Sequence, residues 1–402
     1  MRVCFVLGSL AAITGGNAIV LAHARAAAAA GWSVTVTALQ ASDVPPSLAC
    51  DTAIRVLPLA DAVRAGRYEV VVATFWRTVY ALPEFDAGRW VYFVQSIETR
   101  FVPKARALER AAADMTYMVD MPVVTTGAWM QEFLQARFGR VVAVAPVFTD
   151  PAVHAPEGRA LAPRVPGRLR VLVEGPLRMR LKNVPRTVAL ARRSRAHELW
   201  LMTQSDVPFY LGVDRLLTRV APEETGSVYR SCDVILRLSL VEGVSLVPLE
   251  MMACGGTAVT NDVTGHDDYM RNGLNGLVVP THDEDAAVNA LNRLADHPAL
   301  LERLRAGALQ TARERVAPTQ ASALFLAAVE DACRQPFDVQ AAARMVRRFR
   351  KLLLGCETAI PTRPARRAPN RLSSTVRSWW TILETGALMA RRRTDPSPYL
   401  DF

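Results

Sequence analysis

The sequence predicts an α/β protein of two Rossmann-like domains followed by a basic extension. Three observations carry this reading. Short apolar runs alternate with longer helical stretches, the pattern of parallel sheets with helices on both faces. A chain of 402 residues is long for a single core, so two domains are expected. Finally, residues 239–261 (SLVEGVSLVPLEMMACGGTAVTN) read as an acidic loop, a helix and a strand, directly after a short buried-strand run at 233–238 (DVILRL).

The first domain is predicted from strands at 2–7, 33–39, 70–74, 91–95, 117–121 with 123–125, and 141–145. Residues 1–18 superficially resemble a secretory signal, with one Arg, an apolar run and small residues. A first strand is the better reading, because a second strand follows the Ala-rich helix 18–30 at βαβ spacing. The intervening turn carries Gly15 and Gly16, which let a backbone approach a ligand closely but also serve as a plain turn. It is not the G-x-G-x-x-G fingerprint, which argues against a simple nicotinamide enzyme. Gln95, Glu98 and Arg100 follow the carboxyl end of the fourth strand, where parallel sheets place ligand contacts; a solvated loop is the alternative.

The second domain opens with a strand at 169–174 and the loop GPLRMRLKN (175–183), then a strand at 197–203. In the central stretch a helix begins around Gly243, Val244, Ser245 and Leu246, with Pro248 in its first turn, where the missing N–H costs little. It stops at Gly255-Gly256. The first N–H groups of such a helix have no internal partner and can receive a pyrophosphate. Glu250 is expected about two turns in, at roughly 1.5 Å per residue, where it can accept from ribose hydroxyls. Glu242, on the loop, would face the sugar. Read alone, the two acids also fit a helix cap and a solvated helix residue. Residues 283–294, 299–315 and 319–334 read as helices, the last returning to the first domain.

The segment SLVEGVSLVPLEMMACG resembles the E-x7-E motif of retaining GT-B glycosyltransferases, in particular the large family 4. The resemblance continues at Gly265 (VTGHDDYM) and at 272–280 (NGLNGLVVP), similar to the family's NGxNGxLV, and spans about residues 1–315. It implies a GT-B fold with two Rossmann-like domains facing across a cleft. Residues 1–156 would be the acceptor-side domain and 157–318 the nucleotide-sugar domain, with 319–336 a return helix and 337–402 the extension. The segment 146–156 (PVFTDPAVHAP) is similar to the family's crossover, and the Pro/Ala/Arg run 156–168 reads as the linker.

The implied activity is transfer of a hexosyl unit, with retention, from a nucleotide sugar to a hydroxyl of a glycan or lipid-linked acceptor. Cell-wall or polysaccharide synthesis in the cytoplasm, at the inner face of the membrane, is the implied setting. The resemblance assigns Glu242 to the donor sugar and Glu250 to the ribose. Lys182, with Arg178 or Arg180, is assigned to the diphosphate, shared with the backbone of Gly243 to Leu246. A departing nucleoside diphosphate develops negative charge that fixed cations and helix N–H groups stabilise. Gly15 and Gly16 would lie near the donor phosphates. The segment VQSIE is similar to the VQDFE of a rhamnosyltransferase-like branch, which implies a deoxysugar carried on dTDP. The chain departs from the family in having no His between His23 and His154, so the acceptor-side catalytic role is assigned to Gln95 or Glu98 beside Glu242. No metal and no cofactor are expected, for want of a D-x-D pair or a His/Cys cluster; Asp267-Asp268 and His266 read as loop residues. An epimerase or phosphorylase on the same fold, or a non-catalytic binding protein, remains the alternative.

Half of the residues are hydrophobic and 21% charged, which describes a globular chain, and no apolar run approaches the roughly 20 residues of a membrane span. The six cysteines are scattered without a C-x-x-C pair and suit a reducing compartment. The net charge of +10 concentrates in residues 344–402, with about thirteen Lys or Arg against about four acids. There 341–354 (AAARMVRRFRKLLL) is basic and amphipathic, 361–369 is a Pro/Arg linker, and Trp379-Trp380 precede Arg391–Arg393. Basic residues with interfacial Trp suit an anionic membrane surface, and packing on the protein or disorder is the alternative. No nucleic-acid module accompanies the charge.

Overall fold

The computed structural model describes residues 1–11, 15–40, 48 and 51–359. It divides into two units, Met1–Phe148 together with the described residues from Val316 on, and Thr149–Arg315. The expectations for residues 361–369, Trp379-Trp380 and Arg391–Arg393 lie outside the described residues.

Unit 1 holds seven parallel strands: β1 (Arg2–Ser9), β2 (Ser33–Gln40), β3 (Arg55–Val56), β4 (Tyr68–Ala73), β5 (Ala87–Val94), β6 (Val123–Thr125) and β7 (Val142–Val144). Their order is β3-β2-β1-β4-β5-β6-β7. The central strand β1 pairs Val3 with Val34 on one side and Val70 on the other. Val3 to Leu7 are wholly buried, which is why this strand reads as a continuous apolar run rather than an alternating one. Helices α1 (Gly15–Ala29), α2 (Leu59–Arg64), α3 (Trp76–Val79), α4 (Ala107–Tyr117) and α5 (Ala128–Phe138) connect the strands.

Unit 2 repeats the plan with β8 (Arg170–Glu174), β9 (Glu198–Thr203), β10 (Arg215–Thr218), β11 (Val234–Arg237), β12 (Thr257–Asn261) and β13 (Gly276–Val279), in the order β10-β9-β8-β11-β12-β13. Its helices are α6 (Val184–Ala191), α7 (Thr225–Tyr229), α8 (Leu246–Ala253), α9 (Glu284–Asp296) and α10 (Pro298–Glu314). The sheet has an apolar layer on each face. Val171, Val173, Val234 and Leu236 enter one cluster, while Leu172, Trp200, Ile235 and Ala258 enter the other with Tyr229, Leu249 and Met252. This period-two division is what a doubly wound sheet requires. Two more helices follow, α11 (Pro318–Arg334) and α12 (Val339–Ala359). In α11, Phe325 is fully buried and stacks on His23 at 4.4 Å between ring centres, with Phe5 and Phe93 nearby.

Four local expectations are corrected. Residues 117–121 are not a strand: α4 runs to Tyr117, whose hydroxyl engages Glu98, and the chain turns at Met118. The predicted strand ends with 123–125 alone. The helix of the central stretch starts at Leu246 with Ser245 extended as its N-cap, so Glu250 sits just past one turn rather than two. Helix α1 begins at Gly15, so the paired glycines lie inside its first turn rather than before it. The Pro/Ala/Arg run is no free linker, for Arg164 donates to the carbonyls of Tyr229, Cys232, Cys254 and Gly255 and fastens the run to unit 2.

The described start of the basic extension packs on unit 1. Ala342, Ala343 and Val346 are buried, Arg347 donates to the Pro83 carbonyl, and Arg350 donates to the Tyr80 carbonyl and Glu84. Cys4, Cys232 and Cys254 are buried free thiols, small core residues as expected.

Candidate active site

In unit 2 the winding changes direction between β8 and β11, which pair directly (Val234 with Val171, Ile235 with Leu172). The carboxyl ends of the strands flanking such a switch point form the usual ligand crevice of an open α/β sheet. Here those ends carry Glu174 and Arg237, joined by an ion pair of 2.7 Å (Arg237 Nη1 to Glu174 Oε2), with the same nitrogen donating to the Glu174 carbonyl at 2.9 Å. Arg237 is 4% exposed, a buried guanidinium at the end of an otherwise apolar strand.

The loop after β11 brings Glu242 back onto this pair. Arg237 Nη2 and Nε reach Glu242 Oε1 at 2.9 and 3.2 Å, and Lys182 Nζ reaches Oε2 at 2.7 Å. Burial works against the charged carboxylate, yet Lys182 and Arg237 together hold Glu242 well below the usual carboxylate range. Glu174 is pushed upward by burial, against the pull of Arg237. The candidate diphosphate cation and the candidate sugar-facing acid are thus one ion pair, with Arg237 as its second cation.

Behind this cluster α8 opens. Ser245 caps it in extended conformation without a side-chain hydrogen bond to the helix, and its hydroxyl is buried without a partner. Gly243 is buried and Val244 and Leu246 are half-buried along the same approach. Glu250 accepts from the Tyr229 hydroxyl at 3.0 Å, and burial pushes its carboxyl up to about 7. Gly265, at φ +94°, packs so tightly that a Cβ there would lie 1.8 Å from the Gly243 carbonyl oxygen. Next to it His266 is buried, and burial lowers its pKa, leaving a neutral ring. Its Nδ1 lies 3.0 Å from the Asn261 carbonyl, which can only accept, so Nδ1 carries the proton. Nε2 is left as a buried lone pair without a protein partner, as are the hydroxyls of Ser239 and Thr260. Buried polar atoms of this kind await water or a polar ligand.

Of the other predicted residues, Arg178 and Arg180 are exposed on the loop that delivers Lys182. In unit 1, Gly16 and Gln95 are neighbours: a Cβ on Gly16 would stand 3.1 Å from Gln95 Oε1. Gly15, the first residue of α1, is exposed. Glu98 is different from a solvated loop acid. It is 8% exposed and accepts from the Tyr92 and Tyr117 hydroxyls at 2.7 and 2.8 Å and from the Trp76 N–H at 3.2 Å. Burial pushes its carboxyl up to about 7. Sequence reasoning missed Arg237, Glu174 and the polar face of His266. A charge inside the apolar run DVILRL was the available signal. Among the described residues no group of three or more His, Cys, Asp or Glu could hold a metal ion.

Two doubly wound parallel sheets of this order are those of the GT-B fold, and residues 215–311, from β10 into α10, match the family model of the glycosyl transferases group 1. Among curated relatives, the O-antigen biosynthesis protein RfbC of Myxococcus xanthus is 31% identical over 245 residues, covering 57% of this chain and 18% of that protein. A D-inositol 3-phosphate glycosyltransferase of Stackebrandtia nassauensis is 34% identical over 157 residues, covering 38% of this chain and 32% of its own. The matches therefore span less than a third of those relatives' lengths. Solved structures match over far more. The sucrose-phosphate synthase of Thermosynechococcus elongatus (TM-score 0.63, 19% identity) covers 89% of this chain and 100% of its own. HepE of Anabaena with UDP-glucose (TM-score 0.66, 13% identity) covers 83% and 100%. These likenesses establish the fold.

Proposed function

We propose that the chain is a glycosyltransferase that moves a sugar from a nucleotide-sugar donor to a hydroxyl of a glycan or lipid-linked acceptor, with retention at the anomeric carbon. The observation that carries this is the cluster at the switch point of unit 2, where Glu242, ion-paired to Lys182 and Arg237, stands on the loop that leads into α8, whose N-cap Ser245 makes no side-chain hydrogen bond to the helix. Lys182 and the N–H groups of Gly243, Val244, Ser245 and Leu246 take the diphosphate, with Arg178 or Arg180 as a second cation from the same loop. Glu250 accepts from the ribose. Glu242 faces the sugar, and the His266 Nε2 lone pair supplies an acceptor for one of its hydroxyls. In unit 1, Gly15 and Gly16 keep the first turn of α1 clear of side chains, and Gln95 takes the acceptor-side role. Glu98, whose oxygens are filled from within its own unit, braces that loop. None of these roles calls for a metal or a cofactor.

The relatives support the reading: one is an O-antigen biosynthesis protein, others are D-inositol 3-phosphate glycosyltransferases, and HepE has been solved with UDP and with UDP-glucose. Polysaccharide synthesis in the cytoplasm is the setting this favours. The VQSIE resemblance adds dTDP-deoxysugars such as dTDP-rhamnose to the candidate donors. Among the described residues no helix is long and apolar enough to cross a membrane. Exposed Arg344, Arg348 and Lys351 on α12 would draw an anionic lipid surface, at roughly 1 kcal/mol each, towards a lipid-linked acceptor.

The test is a thermal-shift screen with UDP, GDP, ADP and dTDP and their common sugars, on the native chain and on Glu250→Ala. A ligand at about 100 times its Kd should add about 2.7 kcal/mol of stability. A shift with one base that weakens in Glu250→Ala is expected. No shift with any nucleotide sinks the donor site.

A further inference from the structure

Lys182 and Arg237 both neutralise Glu242, but they are held very differently. Lys182 reaches it through a single nitrogen from a 3-10 turn (Arg180–Lys182), on a flexible side chain that is 19% exposed. Arg237 sits at the end of a central strand and is 5% exposed at its side chain. Its Nη1 is fixed by both the carboxylate and the carbonyl of Glu174, leaving Nη2 and Nε aimed at one oxygen of Glu242. Gly175, at φ +136°, turns the chain directly after Glu174, and a Cβ there would crowd Val184 at 3.0 Å. One cation can turn away from Glu242 and the other cannot.

We infer that Arg237 is the positioning residue for Glu242: a fixed counter-ion that keeps this carboxylate charged and oriented while Lys182 turns to the donor's diphosphate. The inference rests on the donor-site reading above and adds to it the residue that makes Lys182 free to serve a phosphate. Without Arg237, recruitment of Lys182 would strand a buried carboxylate, which would then take a proton from solvent. The other groups facing Glu242 cannot substitute. His266 is neutral, Tyr269 is uncharged, with its pKa raised by burial, and Glu174 is an acid. Glu174 acts only by holding the guanidinium.

The experiment counts protons. Binding of UDP, or of whichever of GDP, ADP and dTDP gives the thermal shift, is titrated calorimetrically near neutral pH in two buffers of different ionisation enthalpy. The native protein should bind without proton uptake at Glu242, and Arg237→Gln should take up about one proton more. Arg237→Lys, which keeps a charge without the fork, should fall between the two. In parallel, the Glu242 carboxyl is followed by NMR in glutamate-labelled Lys182→Met, with Glu242→Gln for assignment. Arg237 alone should keep it ionised at about pH 6. An unchanged proton count in folded Arg237→Gln, or a protonated Glu242 in Lys182→Met at that pH, overturns the inference. If Arg237→Gln does not fold, or if no nucleoside diphosphate binds, the Lys182→Met measurement still decides it, and only the latter outcome removes the donor-site reading.

Discussion

Glu98→Gln should make the protein more stable at alkaline pH, although it removes a carboxylate that accepts three hydrogen bonds. Burial raises the Glu98 carboxyl from 4.5 to about 7 in the folded chain. The folded state therefore holds this proton more tightly than the unfolded state. Stability from this group is complete below about pH 4.5, declines as pH rises, and is lost above about pH 7. At about 1.4 kcal/mol per pH unit, the loss amounts to about 3 kcal/mol. The amide has nearly the same shape and does not titrate. Its oxygen can accept from the Trp76 N–H, and its NH2 can donate to the Tyr92 and Tyr117 hydroxyls once these rotate to accept. The variant should lie within about 1 kcal/mol of the native protein at pH 5 and exceed it by about 2 to 3 kcal/mol at pH 8. Hydrogen exchange of the β5 amides measures this directly, with β11 in the other unit as an internal control. Parallel pH curves for the two proteins, or a variant that is the weaker one at pH 8, would refute the reasoning.

Two further outcomes concern unit 2. Gly265→Ala combines a backbone conformation unsuited to a side chain with a Cβ 1.8 Å from the Gly243 oxygen; it should cost about 2 to 4 kcal/mol and, by displacing the start of the α8 loop, abolish the nucleotide-dependent thermal shift. Arg164→Ala removes four charge-assisted bonds to carbonyls that would stay largely buried, and exchange of the α8 amides should report a loss of about 3 to 5 kcal/mol; a change under about 1 kcal/mol would mean that the run 156–168 is not fastened as described.

Strands buried on both faces were the most legible part of the chain. β1, β2, β8 and β11 all announce themselves as apolar runs bounded by polar or glycine residues, and their observed ends differ from the expected ones by two residues or fewer. The edges were harder. β3 is only two residues long, and β10 (RLLT) is half exposed, so neither has a run long enough to read. The 117–121 misreading arose because Val119 and Met121 are buried, as strand residues would be, while helix α4 carries on to Tyr117. At the candidate site, Glu242, Glu250 and Lys182 could be named because the segments that carry them resemble a family's motifs, and the structure joins Glu242 to Lys182 in one ion pair. Arg237 could not be placed in the same way. A buried cation depends on partners brought from β8 and from the loop after β11, and no local period encodes that meeting.

The return of α11 to unit 1 has a consequence for how the chain is made. Phe325 closes the aromatic stack over His23, Phe5 and Phe93, so the core of unit 1, which leaves the ribosome before unit 2, lacks a wall until nearly the last described helices emerge. At about 5 to 20 residues per second, the stretch between Phe148 and Val316 takes on the order of 10 to 30 s to synthesise. During that time unit 2 can complete its own sheet while its predecessor waits half-built. Of the two units, the one begun earlier is thus the one finished later, and a chain cut off after Arg315 would leave that aromatic face open to whatever meets it first.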